Sequence, residues 1–319
     1  MLFNRRILNN TDMKKIVFLL LTIVNCVVSN SQTATHEKTA ALDTGLPLVS
    51  EEVYQALAQF FEYDKNIPLN AKIISKDKFE GCNKEKLMFT GVNNSKVPAY
   101  LITPNNGEDK HPIVFLVDGI YGSKERWLQD DSWPKGGLVT KAFLDKGFAV
   151  ITLDAVYHGE RAYENDFNPP PWPRSFPYEA RQMFMQTAVE YRRALDYIST
   201  RNDIDASRIG FLGLSMGGLI TFEITSTDSR IKTAVAGLTP IWKNPEYQPW
   251  APYTYAGHIK CNSFLMFMGN KDPVYTMEDA HQLFDLIPLT EKDFVEYSVK
   301  HEPPKEYVKM VTDWFINNL

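Results

Sequence analysis

Cysteine is scarce in this chain of 319 residues, which holds only Cys26, Cys82 and Cys261. Three are too few for a disulfide scaffold. No Cys and His stand at metal-ligand spacing, so neither a structural zinc nor another metal or cofactor is expected. Charge of one sign is nowhere concentrated: 34 Lys and Arg and 39 Asp and Glu are mixed along the chain, for a net charge of -5. There is no basic stripe to track a nucleic acid and no anionic tail to dock a charged partner. Long apolar runs are also missing, since the stretch 16–24 falls short of the ~20 residues that span a bilayer. Internal repeats and long low-complexity tracts are absent.

What the chain does have is 44% apolar and 13% aromatic residues, ample for one large core and a single domain. Its start has a separate logic. Met13-Lys14-Lys15, the apolar run 16–24 and the small polar Ser29-Asn30-Ser31 follow the order of a secretory signal. The expectation is an upstream extension and signal over 1–31, with Met13 as the natural start, and an exported mature chain beginning near Gln32. Lipid anchoring at Cys26 is the alternative, although Asn25 before it fits poorly. Residues 32–48 read as a polar, flexible start, and 49–319 as one domain. Cys82 and Cys261 either pair in an oxidising compartment or remain two buried thiols.

Periodicity predicts an amphipathic helix over 51–63 and then, from about 85, strands alternating with helices. Strands are expected at 86–90, 97–103, 113–117, 148–153, 209–212, 233–237, 264–268 and 294–299. Helices are expected at 138–146, 179–199, 216–225, 277–286 and 304–317. Continuous apolar strands between helical patterns argue for an α/β fold with a mostly parallel sheet covered on both faces. Two connections are long, 158–178 and 239–259, both rich in aromatics and both following strand ends. Such segments read as lids or binding loops.

The sharpest signal is Gly213-Leu214-Ser215-Met216-Gly217, placed between a buried strand and a helix. A tight strand-to-helix turn of this kind projects a serine hydroxyl above the sheet. At ~7% for each residue, G-x-S-x-G arises by chance in roughly one such chain in ten, so the position carries the weight. A nucleophilic serine needs a base and the base an orienting acid, in chain order Ser, acid, His. Among six histidines, His301 alone follows the last strand, and Asp272 lies on the loop after the strand before it. Ser215, Asp272 and His301 are therefore the expected catalytic residues. An oxyanion hole is expected from the backbone N–H groups of Met216 and Ile120, with Tyr121 as the alternative second donor. Tyr121, Trp172, Trp242 and Trp250 are the candidates for the substrate pocket.

Over about residues 85–319 the chain resembles the α/β-hydrolase superfamily, and most of all its dienelactone-hydrolase-like and acyl-esterase branches. The resemblance is carried by the Asp118-Gly119 to Glu125 loop, Asp154 with Tyr157-His158-Gly159-Glu160-Arg161, the Ser215 turn, Gly269 to Asp272, and His301 leading to Trp314-Phe315. Relatives often carry His-Gly where this chain has Asp118-Gly119, which places a carboxylate near the site. His158 matches a loop residue that is usually structural. The resemblance implies a serine esterase working through an acyl-enzyme on Ser215, acting on a small or carbohydrate-linked ester without a cofactor. An exported peptidase or thioesterase on the same three residues, an acyl transferase, and a binding module that keeps only the fold are the alternatives.

Overall fold

The computed structural model describes residues 45–164 and 176–319. The expected signal and flexible start, and the pocket candidate Trp172, lie outside the described residues. Gly45–Leu319 forms one compact unit.

Nine strands among the described residues make one sheet: β1 Lys72–Phe79, β2 Cys82–Thr90, β3 Lys96–Thr103, β4 His111–Val117, β5 Ala149–Leu153, β6 Ile204–Leu214, β7 Thr233–Gly237, β8 Ser263–Gly269 and β9 Glu291–Tyr297. Their spatial order is β1-β2-β3-β5-β4-β6-β7-β8-β9. The pairs from β1 to β3 and on to β5 are antiparallel, and all pairs from β5 to β9 are parallel. The helices are α1 Glu51–Ala58, α2 Gly136–Asp145, α3 Pro177–Ile198, α4 Met216–Thr227, α5 Pro252–Ala256, α6 Met277–Asp285 and α7 Tyr307–Asn318.

Side chains alternate across the sheet because the strand period is two. In β4, Ile113, Phe115 and Val117 join a core with α3 and α4, while Val114 and Leu116 join a second core with α2 and α7. β8 repeats this, with Phe264, Met266 and Met268 on the first side and Leu265 and Phe267 on the second. Every residue of β4, β5, β7 and β8 is buried, as a sheet covered on both faces requires.

Two expectations need correction, and one strand was not foreseen. The strand β1 was not legible, since its sequence KIISKDKF is polar and almost wholly exposed; it is held by its ladder with β2 and not by burial. The last strand is Glu291–Tyr297, three residues earlier at its start than the pattern suggested. Its ladder ends where the Asn270 and Lys271 amides take the carbonyls of Tyr297 and Val299. His301 therefore stands on a loop four residues past the strand. Finally, the segment 239–259 is no open loop: it folds as a 3-10 turn, Pro245–Trp250, followed by α5. Its Tyr247, Trp250, Tyr253 and Tyr255 are buried.

Cys82 and Cys261 are both free thiols. Burial pushes the Cys261 thiol up to about 12, so it stays protonated.

One buried group works against the fold at high pH. Glu223, on α4, is completely buried, and neither of its carboxyl oxygens has a hydrogen-bond partner among the described residues. Burial raises its pKa well above the carboxylate range. Folding then requires proton uptake once the unfolded side chain is ionised, so stability falls as pH rises from the unfolded pKa through the folded one. Glu223→Gln removes that loss. Thermal unfolding is expected to show the variant equal to wild type at pH 4, but higher in Tm at pH 8 by roughly 5 °C. A gain independent of pH would contradict this.

Candidate active site

Ser215 occupies the turn between β6 and α4. Its backbone is left-handed, with φ 55° and ψ -114°, strained for any residue with a Cβ. The strain is held by close backbone approach on both sides. A Cβ on Gly213 would lie 2.0 Å from the carbonyl oxygen of Gly217, and one on Gly217 would lie 2.2 Å from that of Val117. Only glycine fits at either position, which explains the motif physically. The Ser215 amide is tied to Gly237 of the neighbouring strand at 2.8 Å.

Around this turn the structure brings the three distant residues together. Ser215 Oγ lies 2.8 Å from His301 Nε2, and His301 Nδ1 lies 2.6 Å from Asp272 Oδ2. Asp272 Oδ1 accepts the Val274 amide at 2.9 Å, and the Asp272 side chain is fully buried. Both of its oxygens are thus occupied, and the imidazole is fixed as the Nδ1–H tautomer with Nε2 free to accept from the serine. The His301 loop is held from outside by Trp133, whose Nε1 donates to the His301 carbonyl at 2.9 Å.

Met216 and Ile120, expected as oxyanion donors, line one cavity with the serine. Met216 is the first residue of α4, so its N–H has no carbonyl one turn back within the helix. Between β4 and a 3-10 turn at Lys124–Leu128, the loop places Gly119 so close that a Cβ there would lie 3.3 Å from Ser215 Cβ. The two amides that follow differ. Tyr121 N–H is already given to His158 Nε2 at 3.2 Å, whereas Ile120 N–H makes no hydrogen bond among the described residues. Of the two, Ile120 has the unengaged amide.

His158 fixes this loop as a neutral ring, donating through Nδ1 to the Val156 carbonyl at 2.8 Å. Burial pushes its pKa down to about 4, opposed by that carbonyl and aided by Arg161. The neutral form stabilises the fold above pH 6.5, and the contribution of about 3 kcal/mol is lost as pH falls towards 4. Thermal unfolding from pH 7 to 4 is expected to lose Tm more steeply in wild type than in His158→Gln. Parallel curves would remove this role. Asp118, the departure noted in the sequence, accepts the Gly119 amide at 2.7 Å and faces Arg126 Nε at 3.3 Å. Burial raises it to about 6, against the pull of Arg126 and the Gly119 and Ser123 amides.

A cavity of about 400 Å³ opens over Ser215 and His301, walled mainly by Ile120, Tyr121, Trp133, Phe184, Leu219 and Trp242. Of the expected pocket residues, Tyr121 and Trp242 line this cavity. Trp250 does not: it is fully buried behind the wall, stacked on Phe184 at 4.7 Å and edge-on to Trp242 at 5.5 Å. It supports the surface that it was expected to form. Trp133, Phe184 and the wall residue Arg126 were missed, because no motif marks them and tertiary packing alone brings them here.

A twisted, mainly parallel sheet with a serine on the turn after β6, an acid after β8 and a histidine after β9 is the α/β-hydrolase fold. The model of the dienelactone hydrolase family matches residues 97–302. This chain belongs to the dienelactone hydrolase family. It is 26% identical over 175 residues to YtaP of Bacillus subtilis (strain 168), which covers 53% of this chain and 56% of YtaP. The chain spans about half the length of the curated relatives it matches. Among solved structures it is similar to acetyl xylan esterase 1 from Thermoanaerobacterium sp. JW/SL YS485, with a TM-score of 0.68 and 17% identity over 86% of this chain and 96% of that one. It is also similar to a cold-adapted esterase from an Arctic intertidal metagenomic library, with a TM-score of 0.62 and 20% identity over 77% of this chain and 98% of that one. At these identities the likeness shows the fold.

Proposed function

We propose that this protein is a serine esterase that cleaves carboxylic esters through an acyl-enzyme on Ser215. The single observation carrying this reading is the continuous line Ser215 Oγ, His301 Nε2, His301 Nδ1, Asp272 Oδ2, whose serine and histidine line the cavity. His301 Nε2 takes the hydroxyl proton as Oγ attacks the ester carbonyl carbon, and Asp272 stabilises the imidazolium. The carbonyl oxygen becomes an oxyanion beside the amides of Ile120 and Met216. Collapse expels the alcohol, which leaves with the proton held on His301. Water then repeats the sequence, with His301 as base again, and releases the acid.

The aromatic cavity wall supports an ester with a flat or ring-shaped group, aryl or sugar. Trp242, Trp133 and Tyr121 offer faces on which an aryl or sugar ring stacks. The fold-level likeness to acetyl xylan esterases agrees with carbohydrate-linked esters. The basic and then apolar start at Met13 supports export of the mature chain, and N-terminal sequencing of the protein from the cell envelope or medium tests that.

The decisive experiment is incubation with an aryl acetate and with a fluorophosphonate. Hydrolysis of the first, and stoichiometric labelling by the second mapped to Ser215, are expected. A folded protein that neither hydrolyses a panel of acetyl, feruloyl and longer acyl esters nor takes the label would end the esterase reading.

A further inference from the structure

One buried cation in this molecule is used by neither the nucleophile nor its base. Lys124 closes the loop that carries Ile120, and its side chain is completely buried. Its Nζ donates to Glu160 Oε1 at 2.6 Å, Glu125 Oε1 at 2.7 Å and Asp154 Oδ2 at 2.8 Å. All three ammonium protons are thereby used. The oxygens of these three acids converge within 4.8 Å, as a cage for a metal ion would, and the cation held there is the chain's own lysine. Burial alone would lower the Lys124 pKa, but Asp154, Glu125 and Glu160 raise it above the ordinary lysine value, so the ammonium stays charged.

The cluster is also a joint between two loops. Asp154, with no exposed surface, accepts the Lys124 backbone amide on Oδ1 at 2.9 Å and the Glu160 amide on Oδ2 at 2.9 Å. One loop carries Ile120. The other carries His158, the acceptor for the Tyr121 amide. Gly159, at φ +52°, passes so near that a Cβ would lie 2.2 Å from Asp154 Oδ1. The turn around Ile120 is therefore clamped at Tyr121 by His158 and at Lys124 by Asp154. A buried ion cluster returns little net stability after desolvation; what it supplies here is a fixed geometry between the two loops.

We propose that Lys124 is a positioning residue, a tethered ammonium that binds the two loops through Asp154, Glu125 and Glu160 and so aims the Ile120 amide at the developing oxyanion. The inference rests on the esterase reading above. It makes a separate demand on the kinetics. An oxyanion donor acts where charge develops, so its misplacement lowers kcat and leaves KM nearly constant. Trp242 is supplied by another segment, and Trp133 and Tyr121, though in the same connection as Lys124, keep bonds of their own, the Trp133 indole to the His301 carbonyl and the Tyr121 amide to His158, so the stacking faces stay in place.

The test uses the whole protein with an aryl acetate. In Lys124→Ala, kcat is expected to fall roughly 100-fold with KM changed less than about 3-fold. Ethylammonium, which can enter the vacated cage and donate three hydrogen bonds, is expected to restore part of the lost kcat. Tetraethylammonium, with no N–H, is expected to restore none. Glu160→Ala is the second variant, because Glu160 is half-exposed and its loss removes one limb without leaving a buried lysine unpaired. Its kcat is expected to fall roughly 10-fold at unchanged KM, and it decides the matter if Lys124→Ala does not fold. Unchanged kcat in Glu160→Ala, or a folded Lys124→Ala that loses KM instead of kcat, overturns the proposal. A wild type that neither hydrolyses the ester nor takes the fluorophosphonate label overturns the esterase reading itself, and the two failures are thus distinct.

Discussion

Ser215→Ala is expected to lower kcat for an aryl acetate by at least about 10⁴-fold while the fold and Tm remain close to wild type. The loss follows from geometry. Without Oγ there is no atom 2.8 Å from His301 Nε2 to attack the carbonyl, and the imidazole has no proton to take. What persists is catalysis by the oxyanion donors and by substrate binding, acting on water. Stability should hold because the residue keeps its Cβ, and the unusual backbone at 215 is set by Gly213, Gly217 and the hydrogen bond its amide donates to the Gly237 carbonyl. The measurement is paired kinetics and thermal unfolding, with labelling by a fluorophosphonate as a third readout. A variant that retains wild-type turnover would place the nucleophile elsewhere.

Asp272→Asn should be the second largest loss, about 10³- to 10⁴-fold in kcat with little change in KM. The side chains are nearly isosteric, so the effect isolates protonation. Asp272 gives Oδ1 to the Val274 amide and Oδ2 to His301 Nδ1. An asparagine that keeps its oxygen on the Val274 amide must present its NH₂ to Nδ1. The imidazole then flips to the tautomer with its proton on Nε2, facing the serine, and can no longer act as base. Chemical shifts of the His301 ring nitrogens would report the tautomer directly. Retained activity together with the original tautomer would show that the carboxylate is dispensable.

The residues of this line were legible in the chain because each follows from a local rule. Ser215 lies in a glycine-flanked turn after an apolar strand, His301 beyond the final strand, and Asp272 on the loop before it. The sheet was legible for a similar reason, since β4, β7 and β8 are continuous apolar runs that only a covered sheet accommodates. Where local rules end, the reading ended too. The polar β1 depends on pairing with β2, a non-local fact. Trp250 and Trp242 look alike in sequence, eight positions apart in one aromatic segment, and only packing decides that one faces the cavity and the other backs it. Trp133 follows no strand pattern or motif, and its importance lies in one indole N–H reaching the backbone of residue 301. Lys124 reads as an ordinary surface lysine until three acids from two loops are seen around it.

The separation between the 239–259 segment and the glycine-locked turn has a consequence for diversification. Trp242 packs edge-on against Tyr247 and Trp250, whereas the line from Ser215 to Asp272 is held by its own hydrogen bonds and by Val274 and Trp133. Its replacement by smaller or polar side chains can therefore reshape what the cavity admits while the reacting atoms stay in register. A library at position 242, which lines the cavity while its neighbour Ile241 is buried in the core, would change what the cavity admits at small risk to the residues around Ser215.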